Sequence, residues 1–303
     1  MSAEDAALPR IAVLVACFNR HRITLPNMAA LIAALEASAC RFDVHLLDDA
    51  SPDRTGELVK AAHPAVNVVV SEGDLFWNRG MRRIFGEARA HGPYDAYLLF
   101  NDDVAVDAAA VARAVALWSE LNRAGPATLI GATRAHAEPR TTYSGYRQTS
   151  RHRVLSLARV EPGDQPQPCD TFNANFVLVP ARTLEELGGN DPFYWHSFGD
   201  IDLGLSIRRR GERLLVAPGW IGNCDDRAIG VPSRHGLIRR LRQGLTGRED
   251  PRQNAYLIWK HRTHAPGAAL AIAGMLAKRL SVLIRNAPHV MPGGPDAKQP
   301  DGN

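Results

Sequence analysis

The sequence predicts an α/β protein with a mostly parallel sheet that helices cover on both faces. Apolar segments alternate along the first half of the chain with segments of helical periodicity, which is typical of such a sheet. The apolar segments are continuous, as expected for strands that are buried on both faces. The length of 303 residues, with 45% hydrophobic and 22% charged residues, suits one large domain with an appendage.

The spacing of apolar residues predicts the individual elements. Strands are predicted over residues 11–18, 44–47, 67–70, 96–100 and 176–179. Helices are predicted over residues 28–35, 55–62, 81–90, 107–121, 181–187 and 201–210. Residues 141–170 are polar and alternating, which predicts a hairpin and a loop above the sheet. Ligands bind at the carboxyl ends of the strands in such sheets, so a site is expected in the loops that follow them.

The positive charge of the chain is concentrated near its carboxyl end. Residues 226–285 contain twelve Lys and Arg against three Asp and Glu, a balance of +9, whereas residues 1–225 carry −4. This asymmetry predicts a basic helical region that meets an anionic surface or acceptor. No zinc-finger spacing, RNA-binding aromatic motif or helix-turn-helix is present in the sequence, so we do not expect nucleic acid as the partner. Residues 286–303 are rich in Pro, Gly and polar residues and are expected to be disordered.

The cysteines and the amino terminus predict a cytoplasmic protein. Cys17, Cys40, Cys169 and Cys224 lie far apart without a CxxC pair, which favours a reducing compartment over a disulfide framework. The first ten residues carry acidic side chains where a signal peptide needs positive charge. The apolar run that follows is too short to span a membrane.

Three loops of the predicted fold carry clustered carboxylates. They contain the pair Asp48 and Asp49, the run Asn101–Asp103, and the pair Asp200 and Asp202. Neighbouring carboxylates repel one another, so a site built from them normally requires a cation. Mg²⁺ or Mn²⁺, held by one or two protein oxygens and a substrate diphosphate, fits this requirement.

The first two clusters also have a structural interpretation, in which the aspartates form turns and cap the following helices. Asn101 and Asp103 share one face of an extended chain and could present a metal ligand, whereas Asp107 could simply cap the next helix. Asp48 and Asp49 could bind a nucleobase or ribose, or form a turn. Both interpretations remain open from the residues alone.

Asp200 and Asp202 begin a predicted helix, where the helix dipole alone favours carboxylates. Residues 193–198, directly before them, are rich in aromatic side chains. Such surroundings exclude water and would raise the pKa of a carboxyl group toward the range of a general base.

Taken in chain order, these segments resemble glycosyltransferase family 2, in its bacterial rhamnosyltransferase-like branch. The resemblance covers roughly residues 10–225 and rests on residues 13–20 (VLVACFNR), 47–53 (LDDASPD), 73–81 (GDLFWNRGM), 99–104 (LFNDDV) and 188–211, with their GGND and GDIDL segments. It implies the GT-A fold in residues 1–225, with a nucleotide-binding half over residues 10–107 and an acceptor half over residues 108–225, followed by the basic helical region 226–285.

The resemblance also implies the roles of particular residues. Asp103 would hold Mn²⁺ or Mg²⁺ with help from Asn101 or Asp102, and Asp200 would be the catalytic base. Ala16 and Phe18 would touch the nucleoside, and Asp48 or Asp49 would bind its base or ribose. The residues expected to contact the substrates are Ala16, Phe18, Asp48, Asp49, Trp77, Asn78, Gly80, Met81, Asn101, Asp102, Trp195 and Asp202.

The chain departs from the family pattern at two positions. Gly199 stands where an acidic residue often precedes the base, so one carboxylate is missing. Asn223 stands near the place of a histidine that commonly assists the metal, and His235 is a weaker substitute.

The implied reaction is the inverting transfer of a sugar from a UDP- or dTDP-linked donor, with rhamnose as the particular expectation, to a hydroxyl of a cell-surface glycan or lipid-linked acceptor. Two other functions remain open. The two departures favour a catalytically weakened sugar-nucleotide or glycan-binding protein. A nucleotidyltransferase is disfavoured because residues 18–22 (FNRHR) contain no glycine. The basic region is equally consistent with peripheral contact with an anionic membrane and with a helical cap on the main domain.

Overall fold

The computed structural model describes residues 8–150, 153–195, 197–226, 250–262 and 265–285. Two compact units are present, one formed by Met1–Gly145 and Val160–Asp225 and the other by Tyr146–Arg159 and Asp226–Asn303. The strands, in chain order, are β1 Arg10–Cys17, β2 Arg41–Asp48, β3 Asn67–Val70, β4 Ala96–Phe100, β5 Ala105–Val106, β6 Ala127–Arg134, β7 Thr141–Tyr143, β8 Gly145–Gln148, β9 Leu157–Arg159, β10 Gln167–Pro168, β11 Thr171–Phe172, β12 Phe176–Pro180 and β13 Arg213–Asn223. The helices are α1 His21–Glu36, α2 Thr55–Ala62, α3 Phe76–Arg89, α4 Ala108–Arg123, α5 Ala181–Leu187, α6 Gly199–Arg209, α7 Pro251–Lys260 and α8 Ala265–Arg285.

The first unit is built on a ten-stranded sheet. Its main path runs β10-β13-β6-β12-β4-β1-β2-β3, with β5 paired to β13 and β7 paired to β6. The strands β4, β1, β2 and β3 are parallel, and β13 is parallel to β6. β12 is antiparallel to both β4 and β6 and joins the two parallel groups. The predicted α/β class, with a mainly parallel sheet, is therefore confirmed.

The register of the sheet brings seven chain segments to one edge. Cys17 pairs with Asp48 and Asp48 with Val70, so the loops after β1, β2 and β3 leave the sheet at the same level. Because β12 is antiparallel to β4 and β6, its amino end lies at the same edge as their carboxyl ends. β13 is parallel to β6, so its carboxyl end lies there too.

Hydrophobic cores fill both faces of this sheet, as the continuous apolar strands predict. Alternate residues of β1 point to opposite sides. Ile11 and Val13 pack in the cluster that includes residues of α1 and α4, whereas Ala12 and Leu14 pack in the cluster that includes residues of α3. The second unit contains an antiparallel hairpin of β8 and β9, together with the helices α7 and α8. The predicted hairpin within residues 141–170 is thus present.

Several elements differ from the prediction, among them helix α1, which begins at His21, seven residues before the predicted start at residue 28. Strands β6 and β13 were not predicted from the sequence. β13 contains Pro218 and Gly219, and its pairing with β6 shifts register there. Helix α3 begins at Phe76, five residues before the predicted start at residue 81. The N–H group of Phe76 donates to the carboxylate of Asp49, which lies in another loop. The sequence next to the helix therefore contains no capping residue that would predict where it begins.

Candidate active site

The two aspartates at the end of β2 hold the loops of the sheet edge in place. Asp48 is buried and accepts hydrogen bonds from the N–H groups of Ser51 (2.9 Å) and Gly56 (2.8 Å). Asp49 is also buried and accepts from the Phe76 N–H at 2.9 Å and the Ser71 hydroxyl at 2.6 Å. Both carboxylates therefore stabilise the loops of this edge, and a direct contact of either with a base or ribose stays a prediction.

A guanidinium joins the two aspartates that follow β4. Asp102 is fully buried and forms a bidentate ion pair with Arg20 of the loop after β1, with Nε to Oδ2 at 2.9 Å. Thr24 donates to the same carboxylate at 2.5 Å. Burial raises the pKa of Asp102, and the Arg20 charge opposes that rise. Arg20 was not among the predicted site residues, although it ends the quoted segment 13–20.

Asp103 differs from Asp102 because its side chain is partly exposed, at 23%. Its Oδ2 atom lies 3.0 Å from an Arg20 nitrogen, and its Oδ1 atom lies 3.8 Å from the Cys224 sulfur. Within the described ranges, no group of three His, Cys, Asp or Glu side chains is placed to hold a metal ion. A single carboxylate that shares Mg²⁺ or Mn²⁺ with a substrate diphosphate fits the residues present, and Asp103 would be that ligand.

The residues after β13 place a thiol beside Asp103. Cys224 is buried, and its sulfur accepts from the Asn175 amide at 3.5 Å. The Oδ1 atom of Asn223 accepts a hydrogen bond from Arg134 at 3.0 Å, and a part for Asn223 in a cation site stays a prediction. His235 is outside the described residues, as are residues 227–249 and the tail 286–303.

The amino end of α3 is hydrogen-bonded to the residue that follows β4. Trp77 donates from its indole nitrogen to Asn101 Oδ1 at 2.7 Å. Gly80 lies against the sheet, since a Cβ there would be 2.9 Å from Leu47 and 3.3 Å from Ala16. Met81 is buried in the adjoining core. Gly80 and Met81 therefore pack the helix onto the sheet, and their contact with substrate stays a prediction.

Asn78 is fully buried and fastens α3 to the segment that leads into α6. Its amide nitrogen donates to the carbonyls of Asp191 and Tyr194, both at 2.8 Å, and its Oδ1 atom accepts from Asn190 at 2.9 Å. Its backbone N–H donates to the Trp195 carbonyl at 3.0 Å. A Cβ at Gly199 would lie 1.8 Å from Asn78 Oδ1. Position 199 is therefore glycine for lack of space, and an acidic side chain could not fit there.

Asp200 stands at the amino end of α6 and is partly buried. Its Oδ2 atom accepts from the Asn173 amide at 3.1 Å. Burial raises the pKa of Asp200 above its ordinary value, and hydrogen bonds from Asn173 and the Ile201 N–H oppose the rise. Asp202 is buried and accepts from the Tyr194 hydroxyl at 3.2 Å, so it supports the aromatic loop.

The turn before β12 lies between Asp200 and Asp103. Asn173 contacts Asp200, and two residues later the Asn175 carbonyl accepts from the Asn101 N–H at 3.0 Å. Asn175 also donates to Cys224, the neighbour of Asp103. This turn was missed from the sequence, although two asparagines within three residues before an apolar strand are a usable turn signal.

Strained backbone and exposed aromatic side chains mark the same edge. Non-glycine residues with positive φ occur after β1, β2 and β3 and at the start of α6; they are Asn19, Ala50, Arg54, Asp74, Phe76 and Phe198. Such conformations are costly and cluster at functional sites. Phe18 is 55% exposed beside buried Ala16, and contact of either residue with a nucleoside stays a prediction. Trp195 stacks with the Arg79 guanidinium at 5.0 Å.

Solved structures with the same architecture are glycosyltransferases of the GT-A fold. Staphylococcus aureus TarS (residues 1–349) in complex with UDP-GlcNAc is 12% identical, with a TM-score of 0.54 over 90% of this chain and 73% of that one. GalNAc-T7 with UDP, GalNAc and Mn²⁺ is 14% identical, with a TM-score of 0.53 over 74% of this chain and 46% of that one. At these identities the likeness establishes the fold.

The sequence profile described as "Glycosyltransferase like family 2" matches residues 9–261. The chain therefore belongs to this family and is a glycosyltransferase, as the resemblance implied. No curated protein sequence matches the chain. The rhamnosyltransferase-like branch stays a prediction.

Proposed function

We propose that the chain is an inverting glycosyltransferase that uses a divalent cation to transfer a sugar from a nucleoside diphosphate to an acceptor hydroxyl. The observation that carries this proposal is the position of two carboxylates at one edge of the sheet. Asp200, whose pKa is raised, accepts a hydrogen bond from Asn173. Asp103, which is partly exposed, is linked to Asn175 of the same turn through the Cys224 sulfur.

Asp200 would act as the general base. Inverting transfer by single displacement needs one group that accepts the proton of the acceptor hydroxyl while its oxygen attacks the anomeric carbon. A pKa raised by burial makes Asp200 a stronger base than an exposed aspartate. The Asn173 amide and the Ile201 N–H hold its carboxylate in a fixed orientation.

Asp103 would hold the cation, and the Arg20 guanidinium beside it would add positive charge near the diphosphate. When bound, Mg²⁺ or Mn²⁺ supplies charge neutralisation for the departing nucleoside diphosphate. Asp102 would position Arg20, because its two oxygens pair with that side chain.

A UDP- or dTDP-linked sugar is the donor that we propose. The TarS and GalNAc-T7 structures contain uridine nucleotides, which supports the uridine class for this fold. Rhamnose and a cell-surface or lipid-linked acceptor follow from the branch resemblance. The rival function is a binder that has lost activity. The lack of space at Gly199 gives a packing reason for the absent acid, so that absence does not by itself favour the rival.

Replacement of Asp200 by asparagine tests the base. The Asp200→Asn variant should bind the donor as the wild type does and lose at least about 10²-fold in kcat, because general-base catalysis contributes on the order of 10²–10⁴-fold. Asp164→Asn, on an exposed loop, is the matched control and should keep full activity. Near wild-type turnover in Asp200→Asn would show that the base is another group.

Replacement of Asp103 by asparagine tests the cation site. Titration calorimetry with UDP and dTDP should show Mn²⁺-dependent binding in the wild type and a markedly weaker Mn²⁺ effect in Asp103→Asn. Binding without Mn²⁺ should change little. Equal Mn²⁺ dependence in both proteins would remove Asp103 from the cation site.

A further inference from the structure

Helix α8 exposes a continuous apolar face. Residues 266–277 contain no polar or charged side chain, and the exposed positions among them, 266, 269, 270, 273, 274, 276 and 277, recur at helical spacing. Leu270 is 75% exposed and Leu276 47%. Contiguous exposed apolar surface on a helix is typical of a site that a partner or a lipid surface covers.

This helix has the length and charge of one that lies on a bilayer. It has 21 residues, but Lys278 and Arg279 directly follow its apolar stretch. None of the described helices combines the length and the apolarity needed to cross a membrane. Exposed apolar side chains together with flanking cationic residues favour binding in the interface plane of an anionic bilayer.

The neighbouring helix α7 carries aromatic and cationic groups of the kind that anchor proteins at the level of lipid headgroups. Trp259 is 45% exposed, and the Arg262 guanidinium stacks on its ring at 3.6 Å. Lys260 lies 5.8 Å from the ring of Tyr256. Tryptophan and tyrosine rings with cationic partners favour the boundary between apolar and aqueous phases.

The positive charge of α7 and α8 favours an anionic lipid surface over a second copy of this chain or its own residues 227–249. Residues 251–285 contain six Lys and Arg and no Asp or Glu. A second copy of this chain would bring like charges together, which disfavours a homodimer through this face. The chain's own residues 227–249 are also basic, with six Arg and one Glu, and so do not complement it.

We propose that α7 and α8 form a docking surface for an anionic phospholipid membrane. The apolar face of α8 enters the acyl boundary, and the cations attract the headgroups. This inference goes beyond the proposed function and does not rest on it.

Vesicle flotation of the full chain tests the docking surface. The protein should float with vesicles of phosphatidylglycerol and phosphatidylcholine, bind vesicles of phosphatidylcholine alone at least tenfold more weakly, and lose binding as salt rises. The double variant Leu270→Glu and Leu276→Glu should lose at least tenfold in binding to anionic vesicles. Leu8→Glu, which introduces one such charge at a residue 50% exposed in the first unit, should bind as the wild type does.

Three outcomes would overturn the proposal. They are no binding to anionic vesicles at low salt, equal binding by the double variant, and a wild-type dimer in light scattering that the same two substitutions dissociate. Donor hydrolysis without vesicles should be the same in the wild type and both variants, so a failure of the membrane inference is distinguishable from a failure of the proposed function.

Discussion

The close contact between Gly199 and Asn78 leads to a quantitative prediction for the substitution Gly199→Ala. A Cβ at position 199 would lie 1.8 Å from Asn78 Oδ1 and 2.4 Å from its Cγ. Atoms cannot approach this closely, so Asn78 must leave its position. The neighbouring backbone cannot easily yield, because the Asn78 N–H is bonded to the Trp195 carbonyl.

The expected cost follows from what Asn78 would lose. Its side chain makes three hydrogen bonds, two to carbonyls and one to Asn190, and it is fully buried. Overpacking a core costs about 1–3 kcal/mol, and each buried polar group left without a partner costs about 1–3 kcal/mol. We therefore expect Gly199→Ala to lower the free energy of unfolding by about 3 kcal/mol or more. Transfer activity should also fall, because Asp200 is the next residue.

Urea denaturation and steady-state kinetics measure these two effects. Gly86→Ala is the matched control, since Gly86 lies in α3 and a Cβ added there would have no atom within 4 Å; it should be neutral or stabilise by up to about 1 kcal/mol. The three atoms nearest to a Cβ at position 199 all belong to Asn78. The substitution Asn78→Ala removes two of them and leaves only the Cβ of residue 78, at 3.1 Å. In that background Gly199→Ala should therefore cost much less. Wild-type stability of the single Gly199→Ala variant, or strict additivity in the double variant, would refute the reasoning.

Two further predictions concern ionisable groups. Arg20→Gln leaves the fully buried Asp102 without its ion-pair partner, so the free energy of unfolding at neutral pH should fall by about 3–5 kcal/mol in urea titrations; an unchanged value would contradict the pair. Burial lowers the pKa of His45 from 6.5 to about 4. Between pH 6.5 and about 4, His45 is protonated in the unfolded chain and neutral in the folded chain. The free energy of unfolding of the wild type should therefore fall as pH drops through this range. Stability curves of wild type and His45→Gln that run parallel through this window would show that His45 does not cause the loss.

Local patterns in the sequence were sufficient to predict much of the fold. The continuous apolar runs indicated four parallel strands close to their observed bounds. β1, β2 and β4 are mostly buried, whereas β3 at the end of the sheet is partly exposed. Asp107 caps α4 as its position before the helix suggested, accepting from the Ala110 N–H at 2.8 Å. The family followed from the order of the acidic segments.

The remaining features depend on contacts between distant segments. Helix α3 starts early because a carboxylate 27 residues away, that of Asp49, accepts from its Phe76 N–H. The missing acid at Gly199 is explained by Asn78, which is 121 positions earlier in the chain. Arg20 pairs with Asp103 across 83 residues. No local periodicity records such contacts, so the sequence could not predict which of these residues contact one another.

The pairing of Arg20 with Asp103 has a consequence for the order in which ligands arrive. Oδ2 of Asp103 lies 3.0 Å from a guanidinium nitrogen of Arg20, which also pairs with Asp102, so the protein itself compensates part of the negative charge of Asp103. A lone cation would have to compete with that guanidinium, whereas a nucleotide brings phosphate oxygens to which Arg20 can donate instead. Cation and nucleotide should therefore enter as a pair, and the enzyme without nucleotide should have little affinity for the cation.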